Sequence, residues 1–196
     1  MPSALCPNVA LCSLFGLVLA GGRSTRMGRD KGLLDYHGKP QREVIFEFLK
    51  PICADVFLSV NTEQASGVLA SMPCLVDEFP EAGPLGALLT AFRFRPDVAW
   101  LVVACDLPFL SGKTISFLVE NRNSMKLATA LRLSNGEPPE PLVTIWEPAF
   151  LPFLQSAFQN NQRSPRRLLI AHNVEILDAP DPAELRNVNS FNEQWR

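Results

Sequence analysis

An uninterrupted apolar run near the middle of the chain constrains the fold most tightly. Residues 100–105 carry no charged or hydrogen-bonding polar group other than the indole and thiol at the two ends. Such a run is typical of a strand covered on both faces, not of a solvated hairpin. Similar runs at residues 15–20 and 56–60 alternate with helical patterns. Strands alternating with helices predict a parallel sheet with right-handed crossovers, and hence a three-layer α/β domain.

The segments between these runs contain start signals for helices. Gly83-Pro84 precedes apolar residues at helical spacing (Leu85, Leu88, Leu89, Phe92), and Ser111 is suited to cap the next helix. Further helices are predicted around residues 43–49, 63–71, 148–158 and 166–171, and further strands at 74–76, 127–133, 141–146 and 174–177.

Length and charge limit the range of functions. The 196 residues suit one domain, predicted over residues 14–196, with residues 1–13 as a loose extension. The 18 basic and 20 acidic residues give a net charge of −2, so neither a nucleic-acid nor a membrane partner is expected. The five scattered cysteines form no CxxC pair, which favours a reducing, cytoplasmic location.

The segment after the first strand concentrates positive charge. Within residues 21–31, two adjacent glycines are followed by Arg23, Arg26, Arg29 and Lys31. Close-approaching backbone amides together with guanidinium and ammonium groups suit a polyphosphate. The spacing does not match a P-loop, a GxGxxG fingerprint or a GxSxG elbow. A solvated basic turn is the alternative, but a loop at the carboxyl end of a strand favours phosphate binding.

Two aspartates follow predicted strands. Asp106 comes directly after the apolar run at 100–105, and a carboxylate leaving a buried strand is costly unless it pairs with or coordinates another group. Mg²⁺ binds one or two carboxylates together with phosphate oxygens, so Asp106 is a candidate metal ligand. Asp77 suits equally a ligand contact or a turn that accepts backbone amides.

Polar residues near the end of the chain leave two interpretations open. Asn187 and Asn189 alternate along an extended segment, which suits contacts to a sugar, a phosphate or a metal-bound water, or a helix cap. A second basic cluster comprises Arg163, Arg166 and Arg167. It suits either an anionic co-substrate or a solvated face. His37 and His172 are predicted to be structural.

Together these motifs resemble the MobA family of NTP transferases, the molybdenum cofactor guanylyltransferases. The resemblance covers residues 14–192 and is carried by Leu19-Ala20-Gly21-Gly22, Arg26 to Lys31, Gly38-Lys39-Pro40, Gly83-Pro84-Leu85-Gly86, Cys105-Asp106-Leu107-Pro108 and Asn187-Val188-Asn189. At the third position of the Leu19-Ala20-Gly21-Gly22 motif, Gly21 favours guanine over cytosine nucleotides. Where the family has Thr-Pro after its NxN element, this chain has Ser190-Phe191.

The resemblance implies a Rossmann-like nucleotidyltransferase domain that transfers GMP from GTP to molybdopterin-bound molybdenum cofactor and releases pyrophosphate. It implies that Lys31 and Arg26 contact the triphosphate, that Asp106 holds Mg²⁺, and that Asn187 and Asn189 contact the acceptor or a phosphate. The implied nucleotide contacts are Leu19, Ala20, Gly21, Gly22, Lys31, Asn61, Asp77, Gly83 and Asp106. Proteins of cofactor biosynthesis and acceptor apoenzymes are the implied protein partners.

Two other functions stay open at this point. A cytidylyl- or sugar-phosphate nucleotidyltransferase of the same fold would share the basic loop and Asp106 but use another base and acceptor. A catalytically idle nucleotide-binding module would bind nucleotide without releasing pyrophosphate.

Overall fold

In a computed structural model of the chain, residues 12–20, 38–65 and 72–186 are described. The strands are β1 (Leu14–Leu19), β2 (Val56–Val60), β3 (Cys74–Val76), β4 (Ala99–Ala104), β5 (Ala128–Arg132), β6 (Glu140–Trp146) and β7 (Glu175–Asp178). The helices are α1 (Gln41–Leu49), α2 (Thr62–Ala65), α3 (Pro84–Phe94), α4 (Gly112–Glu120), α5 (Leu151–Gln159) and α6 (Pro165–Ala171). Short 3₁₀ turns lie at Pro80–Ala82, Pro148–Phe150 and Pro182–Leu185.

One mixed sheet holds all seven strands in the order β3-β2-β1-β4-β6-β5-β7. Strand β1 pairs in parallel with both β2 and β4, and β5 pairs in parallel with β7. Only β6 runs antiparallel to its neighbours β4 and β5. The predicted α/β class and mostly parallel sheet are confirmed. The antiparallel strand reverses the chain, so the start of β6 lies at the same edge of the sheet as the end of β4.

Helices cover both faces of the sheet, as a three-layer domain requires. Residues alternate along β4: Leu101 and Val103 belong to one buried cluster, which includes α1 and α4 side chains. Trp100 and Val102 belong to the other, which includes side chains of α3, α5 and α6. All six residues of β4 are buried, which explains why the run at 100–105 has no polar face.

Within the described ranges, the predicted elements agree with the structure apart from their ends and one helix. The predicted helix at 148–158 divides into the 3₁₀ turn and α5, because Pro152 in the first turn has no amide to donate to the preceding residues. Of the predicted helix at 63–71, α2 covers the described part up to Ala65, and residues 66–71 lie outside the described ranges. The predicted cap of α4 is confirmed: the Ser111 side chain accepts a hydrogen bond from the Thr114 amide.

No helix in the described ranges is long and apolar enough to cross a membrane. Most of the predicted extension, residues 1–11, lies outside those ranges.

A buried ion pair ties together the edge of the sheet where β1 begins. Arg122 Nε lies 2.7 Å from Glu147 Oε1 and Nη2 lies 2.8 Å from Oε2. Arg122 also donates to the Cys12 carbonyl oxygen at 3.2 Å. Burial acts to lower the pKa of Arg122, but the hydrogen bonds and charge of Glu147 outweigh it and raise that pKa above its ordinary value. The pair therefore holds Cys12, two residues before β1, against the residue that follows β6.

We expect Arg122→Met to lower the free energy of unfolding by about 3–5 kcal/mol, because it leaves the Glu147 carboxylate buried without its counter-charge. Urea unfolding followed by circular dichroism measures the loss. The matched control is Glu47→Gln, which breaks the exposed pair between Lys39 and Glu47 and should cost no more than about 1 kcal/mol. Equal losses in the two variants would contradict the role given to burial.

Candidate active site

The carboxyl ends of four parallel strands share one edge of the sheet. Leu19 ends β1 and Ala20 follows it. Asn61 follows β2, Asp77 follows β3, and Asp106 follows β4 after one intervening residue. The connection leaving β1 passes through α1 on one face, whereas the connection entering β4 passes through α3 on the other. Ligands of open α/β sheets bind at such a switch point, outside the carboxyl ends of the strands. The candidate site is therefore centred between β1 and β4.

The end of β1 is fixed by a short helix from the neighbouring connection. Asn61 Oδ1 accepts from the Gln64 amide at 2.8 Å, and Gln64 Oε1 accepts from the Asn61 amide at 3.1 Å. This reciprocal pair is a capping box at the start of α2. Gln64 Nε2 also donates to the Ala20 carbonyl oxygen at 3.2 Å. The backbone just after the end of β1 is thus held in place by a side chain of α2.

Asp77 forms the turn that leads from β3 to α3. Its Oδ1 accepts from the Phe79 amide at 2.8 Å and lies 3.3 Å from the Thr90 hydroxyl. The same hydroxyl accepts from the Glu78 amide at 3.0 Å. Burial raises the pKa of Asp77, the two hydrogen bonds oppose that rise, and Glu81 and Glu78 add to it. The turn interpretation of Asp77 is thereby confirmed, and its contact with nucleotide stays a prediction.

Helix α3 approaches this turn so closely that only glycine fits at one position. A Cβ built on Gly86 would lie 2.9 Å from the Phe79 carbonyl carbon and would overlap its oxygen. Gly83 has a φ of 56°, a conformation that glycine adopts without strain. The Gly83-Pro84-Leu85-Gly86 motif is therefore explained by a sharp entry into α3 and by packing against the Phe79 backbone.

The loop after Asp106 is held from three directions. Gln41, which is fully buried at the start of α1, donates from Nε2 to the Leu107 carbonyl oxygen at 3.2 Å. The Glu184 carboxylate accepts from the Ser111 amide at 2.8 Å and from its hydroxyl at 2.9 Å. Leu107 and Leu110 are buried. Asp106 consequently extends from a rigid segment at the switch point.

A second carboxylate lies beside Asp106. Glu140, the first residue of β6, has its pKa raised above the ordinary value, chiefly by burial and further by the charge of Asp106. The amide of Leu142 and the charge of Arg166 act in the opposite direction. Glu140 was not among the residues suggested by sequence, because its position near Asp106 depends on the antiparallel direction of β6.

The other candidate residues divide into two groups. Arg163 donates to the Phe158 carbonyl oxygen at 2.6 Å, and the ring of His172 lies 4.5 Å from that of Phe153 with Nδ1 bonded to the Leu168 carbonyl. Both therefore stabilise the helical layer around α5 and α6. The predicted residues outside the described ranges are Gly21, Gly22, Arg23, Arg26, Arg29, Lys31, His37, Asn187 and Asn189.

Sequence reasoning also missed residues that position the site, namely Gln41, Gln64 and Thr90. The Asn61-x-x-Gln64 spacing is a readable capping signal. A buried threonine inside α3 and a buried glutamine at the start of α1 carry no comparable local signal.

The chemistry of the donor set fits a hard divalent cation. No group of three or more acidic, histidine or cysteine side chains that could hold a metal occurs in the described part of the chain. A single carboxylate completed by phosphate oxygens and water is an arrangement suited to Mg²⁺, and Asp106 at the switch point supplies such a carboxylate.

Fold and site together define an α/β domain with an acidic residue, Asp106, at the switch point of its sheet. Residues 16–176 match the model of the MobA-like NTP transferase domain. The chain belongs to the MobA-like NTP transferase family.

Two curated relatives illustrate the similarity. The chain is 33% identical over 196 residues to a molybdenum cofactor guanylyltransferase of Pseudomonas putida, with 97% of each chain covered. It is 32% identical over 184 residues to a molybdenum cofactor biosynthesis bifunctional protein of Synechocystis, covering 93% of this chain but 53% of that protein. The present chain thus spans about half of the Synechocystis protein.

Solved structures agree on the fold. A molybdopterin-guanine dinucleotide biosynthesis protein A from Archaeoglobus fulgidus superposes with a TM-score of 0.74 at 20% identity, covering 92% of this chain and 94% of that one. A nucleotidyl transferase from Methanothermobacter gives a TM-score of 0.71 at 16% identity, with 92% and 94% covered.

We expect Gly86→Ala to lower the free energy of unfolding by about 1–3 kcal/mol, because the added methyl group must displace the Phe79 backbone. The displacement also moves the Asp77 turn, so nucleotide affinity should fall more than stability alone explains. Gly112→Ala is the matched control, since its Cβ would meet the Phe48 ring at 3.7 Å, an ordinary contact. Thermal unfolding and nucleotide titration measure both effects, and wild-type behaviour of Gly86→Ala would refute the packing assignment.

Proposed function

We propose that this chain transfers GMP from GTP to the phosphate of molybdopterin-bound molybdenum cofactor, giving a guanine dinucleotide cofactor and pyrophosphate. One observation carries the proposal. Strand β1, which the basic, glycine-rich segment follows in sequence, pairs in parallel with β4, which Asp106 follows, at the switch point of the sheet. The full-length similarity to a P. putida molybdenum cofactor guanylyltransferase supports the choice of base and acceptor.

The reaction forms a bond between an acceptor phosphate oxygen and the α-phosphorus of GTP. The bond from that phosphorus to the oxygen bridging to the β-phosphate breaks, and pyrophosphate leaves with the electron pair. A phosphate nucleophile is already ionised near neutral pH, so the residues need to position and neutralise the reactants without removing a proton. This requirement agrees with the structural roles of His172 and Arg163.

The proposed contacts to phosphate, nucleoside and acceptor come from residues on different sides of the switch point. We propose that the backbone of Gly21 and Gly22 approaches the phosphates closely, while Lys31 and Arg26 bind the triphosphate. Asn61, Asp77 and Gly83, with Leu19 and Ala20, lie on the β1–β2–β3 side and are assigned to the nucleoside. Asn187 and Asn189 are assigned to the acceptor or a phosphate.

We propose Mg²⁺ as the metal of this site, held by Asp106 and by substrate phosphate oxygens. When bound, Mg²⁺ neutralises charge on the transferring and leaving phosphates. Asp106 is suited to hold it because the Gln41 and Glu184 hydrogen bonds fix the segment that follows.

A cytoplasmic location is also part of the proposal, because four cysteines of the described ranges are free thiols, the state that a reducing compartment maintains. Cofactor-biosynthesis proteins and acceptor apoenzymes are the protein partners it implies.

The proposal is tested by pyrophosphate release with each of the four ribonucleoside triphosphates, with and without molybdenum cofactor, in Mg²⁺ and in EDTA. We expect release only with GTP, cofactor and Mg²⁺ together. Release with CTP would instead assign the chain to cytidylyl transfer. Nucleotide binding without release under every condition would identify an idle binding module.

We expect Asp106→Asn to lower kcat by about 100-fold or more, because one neutral amide replaces the anionic metal ligand. The measurement is steady-state pyrophosphate release across a Mg²⁺ titration, with circular dichroism to verify folding. Asp55→Asn is the matched control, since Asp55 is exposed before β2 at the opposite edge of the sheet. A folded Asp106→Asn enzyme with wild-type turnover would remove Asp106 from the mechanism.

A further inference from the structure

The start of β6 places Glu140 near Asp106. The antiparallel ladder between β4 and β6 ends with Val103 opposite Val143. Glu140 begins β6 and Asp106 lies two residues beyond the end of β4, so both lie at the same edge of the sheet. The charge of Asp106 acts on the Glu140 carboxyl group, which agrees with this placement.

Glu140 holds an arginine of α6 in a fixed place. Arg166 Nη2 lies 2.9 Å from Glu140 Oε2, and Arg166 Nε donates to the Pro139 carbonyl oxygen at 3.2 Å. Glu140 Oε1 accepts from the Leu142 amide at 3.1 Å, so both of its carboxylate oxygens are engaged. The Glu140 side chain is 14% exposed and that of Arg166 is 47% exposed. Arg166 is thus anchored at one edge of its guanidinium while the side chain keeps contact with solvent.

The charges around this pair explain what a fixed cation contributes. Two neighbouring carboxylates would repel any anionic substrate that approaches Asp106. Arg166 offsets the charge of Glu140 and adds hydrogen-bond donors at the same edge. Arg163 differs from Arg166, because it donates a hydrogen bond to the Phe158 carbonyl oxygen near the end of α5.

Arg166 and the residues assigned to the nucleoside lie on different sides of the central strands β1 and β4. Asn61, Asp77 and Gly83 belong to the connections of β2 and β3, on one side of β1. Strand β6 lies on the far side of β4. A cation held by the first residue of β6 is therefore placed for the second substrate, across Asp106 from the triphosphate.

We propose that Arg166, positioned by Glu140, binds the phosphate of the acceptor substrate. This inference rests on the proposed guanylyl transfer, in which the acceptor is a phosphate monoester. A planar guanidinium donates two parallel hydrogen bonds to one phosphate, which fixes its orientation as well as its charge. The phosphate oxygen is thereby directed toward the α-phosphorus on the other side of Asp106. Glu140 acts as a positioning residue.

The test compares Arg166→Gln, Arg166→Lys and Glu140→Gln in steady-state kinetics, with GTP and molybdopterin-bound cofactor varied in turn. We expect Arg166→Gln to raise KM for the acceptor about 10- to 100-fold, as for loss of a hydrogen bond to a charged group, with KM for GTP unchanged within about two-fold. Arg166→Lys should recover part of the affinity, because an ammonium keeps the charge but not the paired geometry. Glu140→Gln should raise the acceptor KM by a smaller factor.

Arg167→Gln is the matched control, because Arg167 is the next residue of α6 and is exposed; its kinetics should equal those of wild type. Thermal unfolding of each variant verifies folding, and Arg166→Lys replaces Arg166→Gln in the comparison if Arg166→Gln does not fold.

If the wild type transfers GMP but Arg166 and Arg167 variants have the same acceptor KM, the inference is wrong while the proposed function stands. Parallel rises in both KM values also overturn it. A wild type that binds GTP but transfers nothing to the cofactor overturns both.

Discussion

The parallel pairing of β1 with β4 is the interaction on which the rest of the structure depends. Six consecutive residues of β1 pair with six of β4, from Leu14 opposite Ala99 to Leu19 opposite Ala104. Both strands are buried throughout, so their backbone groups find partners in the ladder and their side chains fill the two apolar layers. Polar chemistry can begin only where these strands end. Ala20 and Asp106 therefore lie at one edge of the sheet, each just beyond the end of its strand.

Side chains from outside the two central strands make that edge rigid. Gln64 fixes the carbonyl at the end of β1, Gln41 fixes the backbone after Asp106, and Thr90 supports the Asp77 turn. Each bond is modest in free energy. Their common effect is to hold the ends of different strands in one arrangement before substrates bind, which is the condition for positional catalysis. The buried pair of Arg122 and Glu147 performs the corresponding structural task at the opposite edge.

Because β6 runs antiparallel to β4, it contributes a second set of residues to the site. A fully parallel sheet would bring a strand end next to Asp106, whereas β6 brings a strand start and therefore Glu140. Burial of that carboxylate beside another requires a counter-charge, which α6 supplies through Arg166. In the reaction that we propose, the two substrates thereby have separate surroundings, one formed by the β1–β2–β3 connections and the other by β6 and α6.

The sequence by itself determined the α/β class, most strand and helix positions and the cap at Ser111, because apolar periodicity, caps and turns act between neighbouring residues. It also placed Asp106 directly after a buried strand, and its family motifs indicated nucleotide chemistry. Only the tertiary structure decided that β6 runs antiparallel, that Glu140 lies near Asp106, and that Gly86 packs on the Phe79 backbone. These features join residues far apart in the chain, and strand direction is set by the packing of whole elements, so no local pattern encodes them.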